Sequence, residues 1–266
     1  MYTLGLPGYA NTAPLQHFLE QDQRLRIRFG VPTELNRWLL NGEVDLSLVS
    51  SHFFLQHQDK LAVLPDFSIS VLGRVYSVNL FHRVPWNELA RVALTTESAT
   101  SVELLKHLAR LDGLEPQYTT EQGGLELLEN YQGVLLIGDR AIQSYASLLT
   151  EQDVLAHRLP TRFAGLCVTD LSMKWFERTK LPFVFALWAT RRDEPPPEQV
   201  LNRLRAARVK GLGNLEAVAR SESGRLGISY PLMQHYLANF RYFLDPSDRE
   251  GLVAFARALN FQLDLK

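Results

Sequence analysis

Short apolar runs alternate along this chain with stretches whose apolar residues recur at helical spacing. The alternation runs twice, to about residue 81 and again from about residue 91, and a mainly helical tail follows. Strands that alternate with helices indicate an α/β protein with a largely parallel sheet. A chain of 266 residues is long enough for one large domain or two lobes.

The positions of the elements follow from these runs and from the residues that interrupt them. Strands are predicted over residues 2–6, 24–29, 44–49, 68–80, 92–95, 117–119, 134–137, 163–168 and 182–190. Helices are predicted after Asn11 and Asp139, after Asp170, and over residues 32–40, 98–111, 125–129, 201–209, 215–220, 231–239 and 251–259. Asn41-Gly42 is predicted to end the helix of residues 32–40, and Gly211-Leu212-Gly213 is interpreted as a turn.

Composition and charge exclude several classes of protein. Hydrophobic residues make up 46% of the chain and charged residues 21%, which is typical of a folded globular protein. A net charge of -1 gives no electrostatic support to a general nucleic-acid binder. The first residues lack a signal-peptide pattern, and no apolar run approaches the roughly 20 residues of a membrane span. We therefore expect a cytoplasmic protein.

The familiar catalytic and cofactor motifs are missing from the sequence. It contains neither GxxxxGK[ST] nor a GxGxxG after a strand, so nucleotide binding has no motif behind it. The seven His residues are scattered without metal-ligand spacing, and no GxSxG surrounds Ser50 or Ser98. The one cysteine, Cys167, lies in an apolar run, which favours a buried structural residue over a nucleophile.

Small polar residues follow several predicted strands at the point where each strand ends. They are Asn11, Ser50, Ser51, Ser98, Thr100, Ser101 and Asp139. Each alone is explained as a helix N-cap. Because ligands of open α/β sheets bind outside the carboxyl ends of strands, and helix N-termini favour anions, the set as a whole predicts a ligand cleft.

Several segments also resemble a known family in their order and spacing. They are YANTAPL (residues 9–15), LNGEVD (40–45) running into Ser50-Ser51, GRVYSV (73–78), ESATS (97–101), LLIGD (135–139) and LPFVFALW (181–188). Over residues 1 to about 190 the chain resembles the chorismate dehydratases of the futalosine route to menaquinone.

The resemblance implies a type II periplasmic-binding-protein fold, with two α/β lobes around a cleft. Lobe one would comprise residues 1–82 plus 188–266, and lobe two residues 83–187. The crossovers near residues 82–85 and 185–188 would form a hinge.

The implied reaction is loss of water from chorismate to give 3-[(1-carboxyvinyl)oxy]benzoate. Because the ring becomes aromatic, most of the driving force lies in the substrate. The enzyme then supplies orientation, a proton acceptor and help for the leaving hydroxyl. The resemblance implies no nicotinamide, flavin or metal cofactor, and chorismate as a small-molecule partner, with no nucleic acid or membrane.

The resemblance also implies roles for the polar residues. Asn11 would act on the reacting ring or leaving hydroxyl, and Ser50, Ser51 and Ser77 would contact substrate oxygens. Ser98, Thr100 and Ser101 would hold one carboxylate. Asp139 is open between capping and a role at the substrate. Glu97 is the one His or Glu in the motifs that best match the cleft, so the proton acceptor stays open and includes a substrate carboxylate.

Two alternatives remain beside this reading. One is the sister enzyme of the same pathway and fold, 1,4-dihydroxy-6-naphthoate synthase, whose functional His motif is not found here. The other is a binding module that holds a small carboxylate without turning it over. The sequence does not fix the oligomeric state, and a homodimer is one option.

Overall fold

Two six-stranded sheets organise the protein in a computed structural model that describes residues 1–19 and 23–263. Residues 20–22 and 264–266, which belong to predicted lobe one, lie outside the described residues. The strands are β1 (Tyr2–Leu6), β2 (Leu25–Phe29), β3 (Leu46–Ser50), β4 (Leu61–Val71), β5 (Val78–His82), β6 (Arg91–Leu94), β7 (Gln117–Thr120), β8 (Gly133–Ile137), β9 (Arg162–Phe163), β10 (Leu166–Asp170), β11 (Phe183–Arg191) and β12 (Phe240–Arg241).

The helices occupy both halves of the chain and the tail. They are α1 (Ala13–Leu19), α2 (Pro32–Leu40), α3 (Ser51–Gln56), α4 (Ala99–Leu111), α5 (Gly138–Ala146), α6 (Glu151–Leu155), α7 (Leu171–Thr179), α8 (Glu198–Gly213), α9 (Leu215–Leu226), α10 (Tyr230–Ala238) and α11 (Pro246–Ala258). Short 3-10 helices span Ala10–Thr12, Trp86–Glu88 and Leu125–Glu129. Within the described residues, none of these helices combines the length and the apolar character that crossing a bilayer needs.

Both sheets are mixed, so the prediction of a largely parallel sheet is wrong. The first sheet has the order β12-β4-β11-β3-β1-β2, and β1 runs parallel to β2 and β3 while β11 runs antiparallel to β3 and β4. The second has the order β7-β6-β8-β5-β10-β9, and there β5 runs antiparallel to β8 and β10. The antiparallel strands β5 and β11 arrive from the other sheet. Neither strand is connected to the preceding strand of its own sheet by a helical crossover, the connection that makes neighbouring strands parallel.

The chain passes between the sheets twice. Strands of the first sheet lie within residues 2–71, 183–191 and 240–241, and strands of the second within residues 78–170. Residues 72–77 therefore carry the chain out of the first sheet, and residues 171–182 carry it back.

Local signals placed several elements as predicted. Pro32 occupies the first turn of α2, and Gly42, at φ 73°, follows its end in the left-handed conformation that glycine adopts without strain. Ser98 and Asp170 cap α4 and α7 by accepting hydrogen bonds from Ser101 N and Met173 N. These caps confirm the predicted starts of both helices.

Other local predictions are wrong. Residues 163–168 are not one strand, because Gly165 at φ 73° turns the chain between β9 and β10. Since these strands form the edge of the second sheet, Cys167 is half-buried and not buried as predicted. Residues 211–213 are the last residues of α8 and not a turn. The single β-rich segment of residues 68–80 is two strands, one in each sheet.

Candidate functional site

A cavity of about 70 Å³ opens where strand ends of the two sheets face each other. Apolar side chains from both sheets form part of its wall, and they include Leu48 and Ile69 from the first sheet and Val78 and Ile137 from the second. The polar residues of the wall are Tyr9, Asn11, Thr12, Ser50, Ser77, Ser98 and Ser101. The structure thus brings five of the eight predicted site residues, namely Asn11, Ser50, Ser77, Ser98 and Ser101, to one cavity.

Asn11 follows β1 in the short 3-10 helix that precedes α1. Its backbone carbonyl oxygen accepts a hydrogen bond from the Tyr242 hydroxyl at 2.9 Å, and Thr12 Oγ1 donates to the Pro7 carbonyl at 2.7 Å. Both bonds fix the loop. The side-chain Oδ1 of Asn11 is buried and has no hydrogen-bond partner in the described structure. A buried amide oxygen without a partner costs free energy, which a ligand in the cavity would recover.

The neighbouring serines at the end of β3 have different surroundings. Ser50 lines the cavity, and its buried Oγ has no hydrogen-bond partner in the described structure. Ser51 is fully buried, and its Oγ donates to the Val184 carbonyl oxygen at 2.7 Å. Side chains of successive residues point apart as a strand ends, so Ser50 faces the cavity while Ser51 ties α3 to β11.

The start of α4 supplies the opposite wall. Ser98 Oγ accepts from the Ser101 backbone N–H at 3.2 Å and donates to Ser101 Oγ at 3.1 Å. Both residues line the cavity, so capping and ligand contact are compatible here. Thr100 does not line it. Its buried Oγ1 accepts the backbone N–H of His52 at 2.9 Å, because its side chain points toward α3.

Ser77 and Asp139 lie at the ends of adjacent strands of the second sheet. Ser77 is buried in the cavity wall, and its carbonyl oxygen accepts from Gly138 N at 2.8 Å. The carboxylate of Asp139 is outside the wall. It accepts from Ala10 N at 2.8 Å and from Arg225 Nη2 at 2.7 Å. Both of its oxygens are occupied by protein groups.

The cavity has little ionisable character. Tyr9 is the one titratable side chain among its described lining residues. The Tyr9 hydroxyl donates to Glu97 Oε2 at 3.0 Å. Burial, together with the negative charge of Glu97, raises the pKa of Tyr9 far above its ordinary value, so the phenol stays protonated. The cavity can therefore bind an anion through neutral donors, but its lining offers no group that takes up a proton near neutral pH.

Some residues that hold the segments beside the cavity could not be identified from the sequence. Tyr242 and Arg225 lie in the tail, far from any recognised motif, and they reach Asn11 and Asp139 only through the fold. Glu97, in contrast, stands in a recognised segment directly before Ser98. Among the described residues, no group of three His, Cys, Asp or Glu side chains is arranged to hold a metal ion.

Known proteins resemble this chain along nearly its whole length. A family model described as menaquinone biosynthesis matches residues 2–260. A chorismate dehydratase of Thermus thermophilus is 61% identical over 258 residues, which cover 97% of this chain and 95% of that protein.

Solved structures share the fold at low identity. Protein AF1704 from Archaeoglobus fulgidus has a TM-score of 0.74 at 20% identity and covers 97% of this chain and 96% of its own. The periplasmic aliphatic sulphonate binding protein SsuA from Escherichia coli has a TM-score of 0.61 at 14% identity, with coverage of 98% and 88%. The predicted α/β fold of the periplasmic-binding-protein type is confirmed.

Proposed function

The chain belongs to the menaquinone biosynthesis family, and we propose that it is a chorismate dehydratase, a hydro-lyase that converts chorismate into 3-[(1-carboxyvinyl)oxy]benzoate and water. The observation that carries the proposal is the 61% identity to a chorismate dehydratase across 97% of this chain. The cavity supports it, because its neutral donors suit a substrate with two carboxylates.

We propose that the start of α4 holds one substrate carboxylate. Ser98 and Ser101 line the cavity there, and the first backbone N–H groups of the helix lie beside them. Such groups carry partial positive charge and bind carboxylates without a cationic side chain. Ser50 and Ser77 face the cavity from the two sheets and would donate to the remaining oxygens.

Asn11 is the residue that we assign to the chemical step. Its unpaired Oδ1 and its amide N–H groups can accept from and donate to a ring hydroxyl that leaves as water. An amide does not titrate, so Asn11 orients the ring and stabilises developing charge but does not take the ring proton.

The proton acceptor follows from the lining of the cavity. A tyrosine that stays protonated is a poor base, and no described Asp, Glu, His or Lys side chain lines the wall. A carboxylate of chorismate itself, held near the ring, is the remaining base. We therefore propose substrate-assisted removal of the ring proton, followed by departure of the hydroxyl as the ring becomes aromatic.

We also propose that the two sheets define the two lobes. Because β5 pairs with β8 and β10, sheet membership favours boundaries within residues 72–77 and 171–182, earlier in the chain than those predicted from the sequence. Assembly into a homodimer remains a prediction of the sequence, and a mass measurement in solution tests it.

The test is incubation of purified protein with chorismate while the aromatic product is followed by absorbance and mass spectrometry. Steady turnover without added cofactor, unchanged by a metal chelator, is the expected result. Turnover of the later cyclic futalosine intermediate instead would identify the sister enzyme. Saturable binding of chorismate without product would identify a carboxylate-binding module.

A further inference from the structure

Asp139 bridges parts of the protein that belong to different sheets. It lies in the first turn of α5, directly after β8 of the second sheet. Its Oδ1 accepts from the backbone N–H of Ala10, in the segment that follows β1 of the first sheet, at 2.8 Å. Its Oδ2 accepts from Arg225 Nη2 of α9 at 2.7 Å, and α9 packs on α1 and α8. One carboxylate thus joins the second sheet to two elements on the side of the first.

Further contacts follow the same rim of the cleft. The ring of Tyr9 packs directly on Gly138, where an added Cβ would come within 2.9 Å of Tyr9 Cε1. The Tyr9 hydroxyl donates to Glu97 at 3.0 Å, and Gln143 Nε2 donates to the Leu226 carbonyl oxygen at 2.9 Å. Gly138 has φ 59°, which glycine adopts without strain. The two sheets are therefore linked along this rim by close packing and hydrogen bonds, and Asp139 lies among these contacts.

This contact is adjacent to the residue that we assign to the chemistry. Asp139 holds the N–H of Ala10, and the Tyr242 hydroxyl holds the carbonyl of Asn11. The backbone of Asn11 is thereby fixed from the second sheet on one side and from the tail on the other. If the sheets move apart, the bond from Ala10 to Asp139 is lost, while the bonds of Tyr242 and Thr12 that fix the loop from the first-sheet side remain.

An acid in the first turn of a helix has a simpler explanation, which is its interaction with the helix dipole. That interaction requires no partner on another element. Here both carboxylate oxygens are directed at donors from outside α5, and the side chain is only 16% exposed. The dipole alone accounts for the presence of an acid but not for its two bonds across the cleft.

We propose that Asp139 is a positioning residue, which, through Ala10 and Arg225, couples contact between the two sheets to the placement of Asn11 in the cleft. This proposal depends on the proposed function only in the experiments that measure turnover of chorismate. Asp139 touches no substrate in this scheme. Its carboxylate acts by holding the closed arrangement in which Asn11 faces the ring.

The test compares Asp139→Asn with Arg225→Gln and with Arg220→Gln as a matched control. Arg220 lies on the same helix, where it forms an exposed ion pair with Glu216 and a cation–π contact with Tyr230, so the control removes the same charge without touching Asp139. Loss of a charge-assisted hydrogen bond predicts that Asp139→Asn lowers kcat about 10- to 100-fold. Arg225→Gln lowers kcat less, and Arg220→Gln leaves kcat unchanged.

Two further measurements separate positioning from a merely structural role. In the ligand-free protein, Asp139→Asn is expected to increase the radius of gyration and to speed hydrogen exchange at Ala10 and Asn11, while the melting temperature changes little. In the double variant, Arg225→Gln is expected to add little to Asp139→Asn, because the bond between Asp139 and Arg225 is already weakened and the other pair of Arg225, with Glu222, lies within α9.

Wild-type kcat and an unchanged radius in Asp139→Asn would overturn the proposal, as would purely additive effects of the two substitutions. Should Asp139→Asn fail to fold, Arg225→Gln decides alone. Its arginine is 43% exposed on the side chain, and wild-type kcat and exchange rates in that variant would refute the bridge. A wild-type protein that does not turn over chorismate contradicts the proposed function instead, and scattering and exchange still test the bridge.

Discussion

Ser50 and Ser51 stand side by side in the sequence, and the structure gives them opposite environments. Ser50 Oγ is buried without a partner at the cavity, whereas Ser51 Oγ is bonded to Val184. We expect Ser50→Ala to raise KM for chorismate several-fold and to leave stability nearly unchanged. Ser51→Ala removes a buried hydrogen bond to the Val184 carbonyl and is expected to lower the free energy of unfolding by about 0.5–1.5 kcal/mol.

Urea unfolding and steady-state kinetics of the two serine variants form a matched pair. Each variant is the control for the other, because both remove one hydroxyl from adjacent positions. A KM effect that is larger in Ser51→Ala would show that the cavity wall is assigned to the wrong serine.

Asn11 offers a separate test at the same scale. Asn11→Ala removes the amide that faces the cavity, and loss of one preorganised donor typically lowers kcat about 100-fold. Asn11→Asp keeps the shape but places a negative charge beside an anionic substrate, so KM should rise as well. Kinetics of both variants check this, and wild-type kcat and KM in Asn11→Asp would leave Asn11 with a purely local backbone role.

The sequence predicted the cavity residues better than their partners. Asn11, Ser50 and Ser98 could be found because each follows a strand, a position that the local pattern shows. Thr100 and Asp139 follow strands too, yet their oxygens bond to His52 and Ala10. Whether a polar side chain meets a ligand or another element depends on how two sheets approach each other. The sequence alone does not give the distance between the two sheets.

At the scale of elements, Asp170 links the cap of α7 to a segment between the sheets. Its carboxylate accepts from Met173 N at 3.0 Å and from the backbone N–H groups of Val75 at 2.9 Å and Tyr76 at 2.7 Å. Tyr76 adopts φ 59°, which is uncommon for a residue other than glycine. The carboxylate therefore helps to stabilise Tyr76 in this left-handed conformation.

Burial outweighs these hydrogen bonds and the nearby charge of Arg74, and it raises the pKa of Asp170 to about 6. Between pH 4 and 6 the folded protein then binds more protons at this site than the unfolded chain does. Its contribution to stability is present below about pH 4 and is lost as the pH rises through 6. The loss amounts to about 3 kcal/mol.

Asp170→Asn isolates this contribution, because all other titrating groups are shared with the wild type. Urea unfolding from pH 4 to 7.5 should show the free energy of unfolding of the wild type, relative to Asp170→Asn, decreasing with pH. A difference that is constant over this range would contradict the raised pKa.

Gly211 marks where α8 approaches α1. An added Cβ would lie 1.7 Å from the Pro14 carbonyl oxygen, whereas at Gly213, two residues later in α8, it would meet nothing within 4 Å. We expect Gly211→Ala to lower the free energy of unfolding by about 2 kcal/mol or more, because overpacking outweighs the gain in helix propensity. Gly213→Ala should be neutral or slightly stabilising. Thermal and urea unfolding measure both, and equal stabilities would show that the helices can separate at no cost.

The elements themselves could be predicted where short-range signals control them. Pro32 and Gly42 bound α2 as expected, and Ser98 and Asp170 cap their helices. The direction of β11 in its sheet could not be read in the same way. It depends on the chain returning to the first sheet from the second, and the apolar pattern of β11 does not indicate this path.

For the whole molecule, the cavity between the sheets predicts how ligand binding is distributed. A ligand at 100 times its Kd stabilises the folded state by about 2.7 kcal/mol. Because residues of both sheets line the cavity, a stable analogue of the proposed product, 3-[(1-carboxyvinyl)oxy]benzoate, should slow hydrogen exchange both after β1 and at the start of α4. Hydrogen exchange with and without the analogue checks this, with the remote helix α6 as an internal control. Protection confined to one sheet would exclude binding between them.

The place of β11 in the first sheet has a consequence for synthesis on the ribosome. It lies between β3 and β4, although residues 183–191 are made long after both. The second sheet uses one continuous stretch and can pair as soon as residue 170 has left the exit tunnel. Until β11 is made, β3 and β4 each keep one unpaired edge where that strand belongs. The sheet that contains the first strands to be translated is therefore the sheet that is completed last.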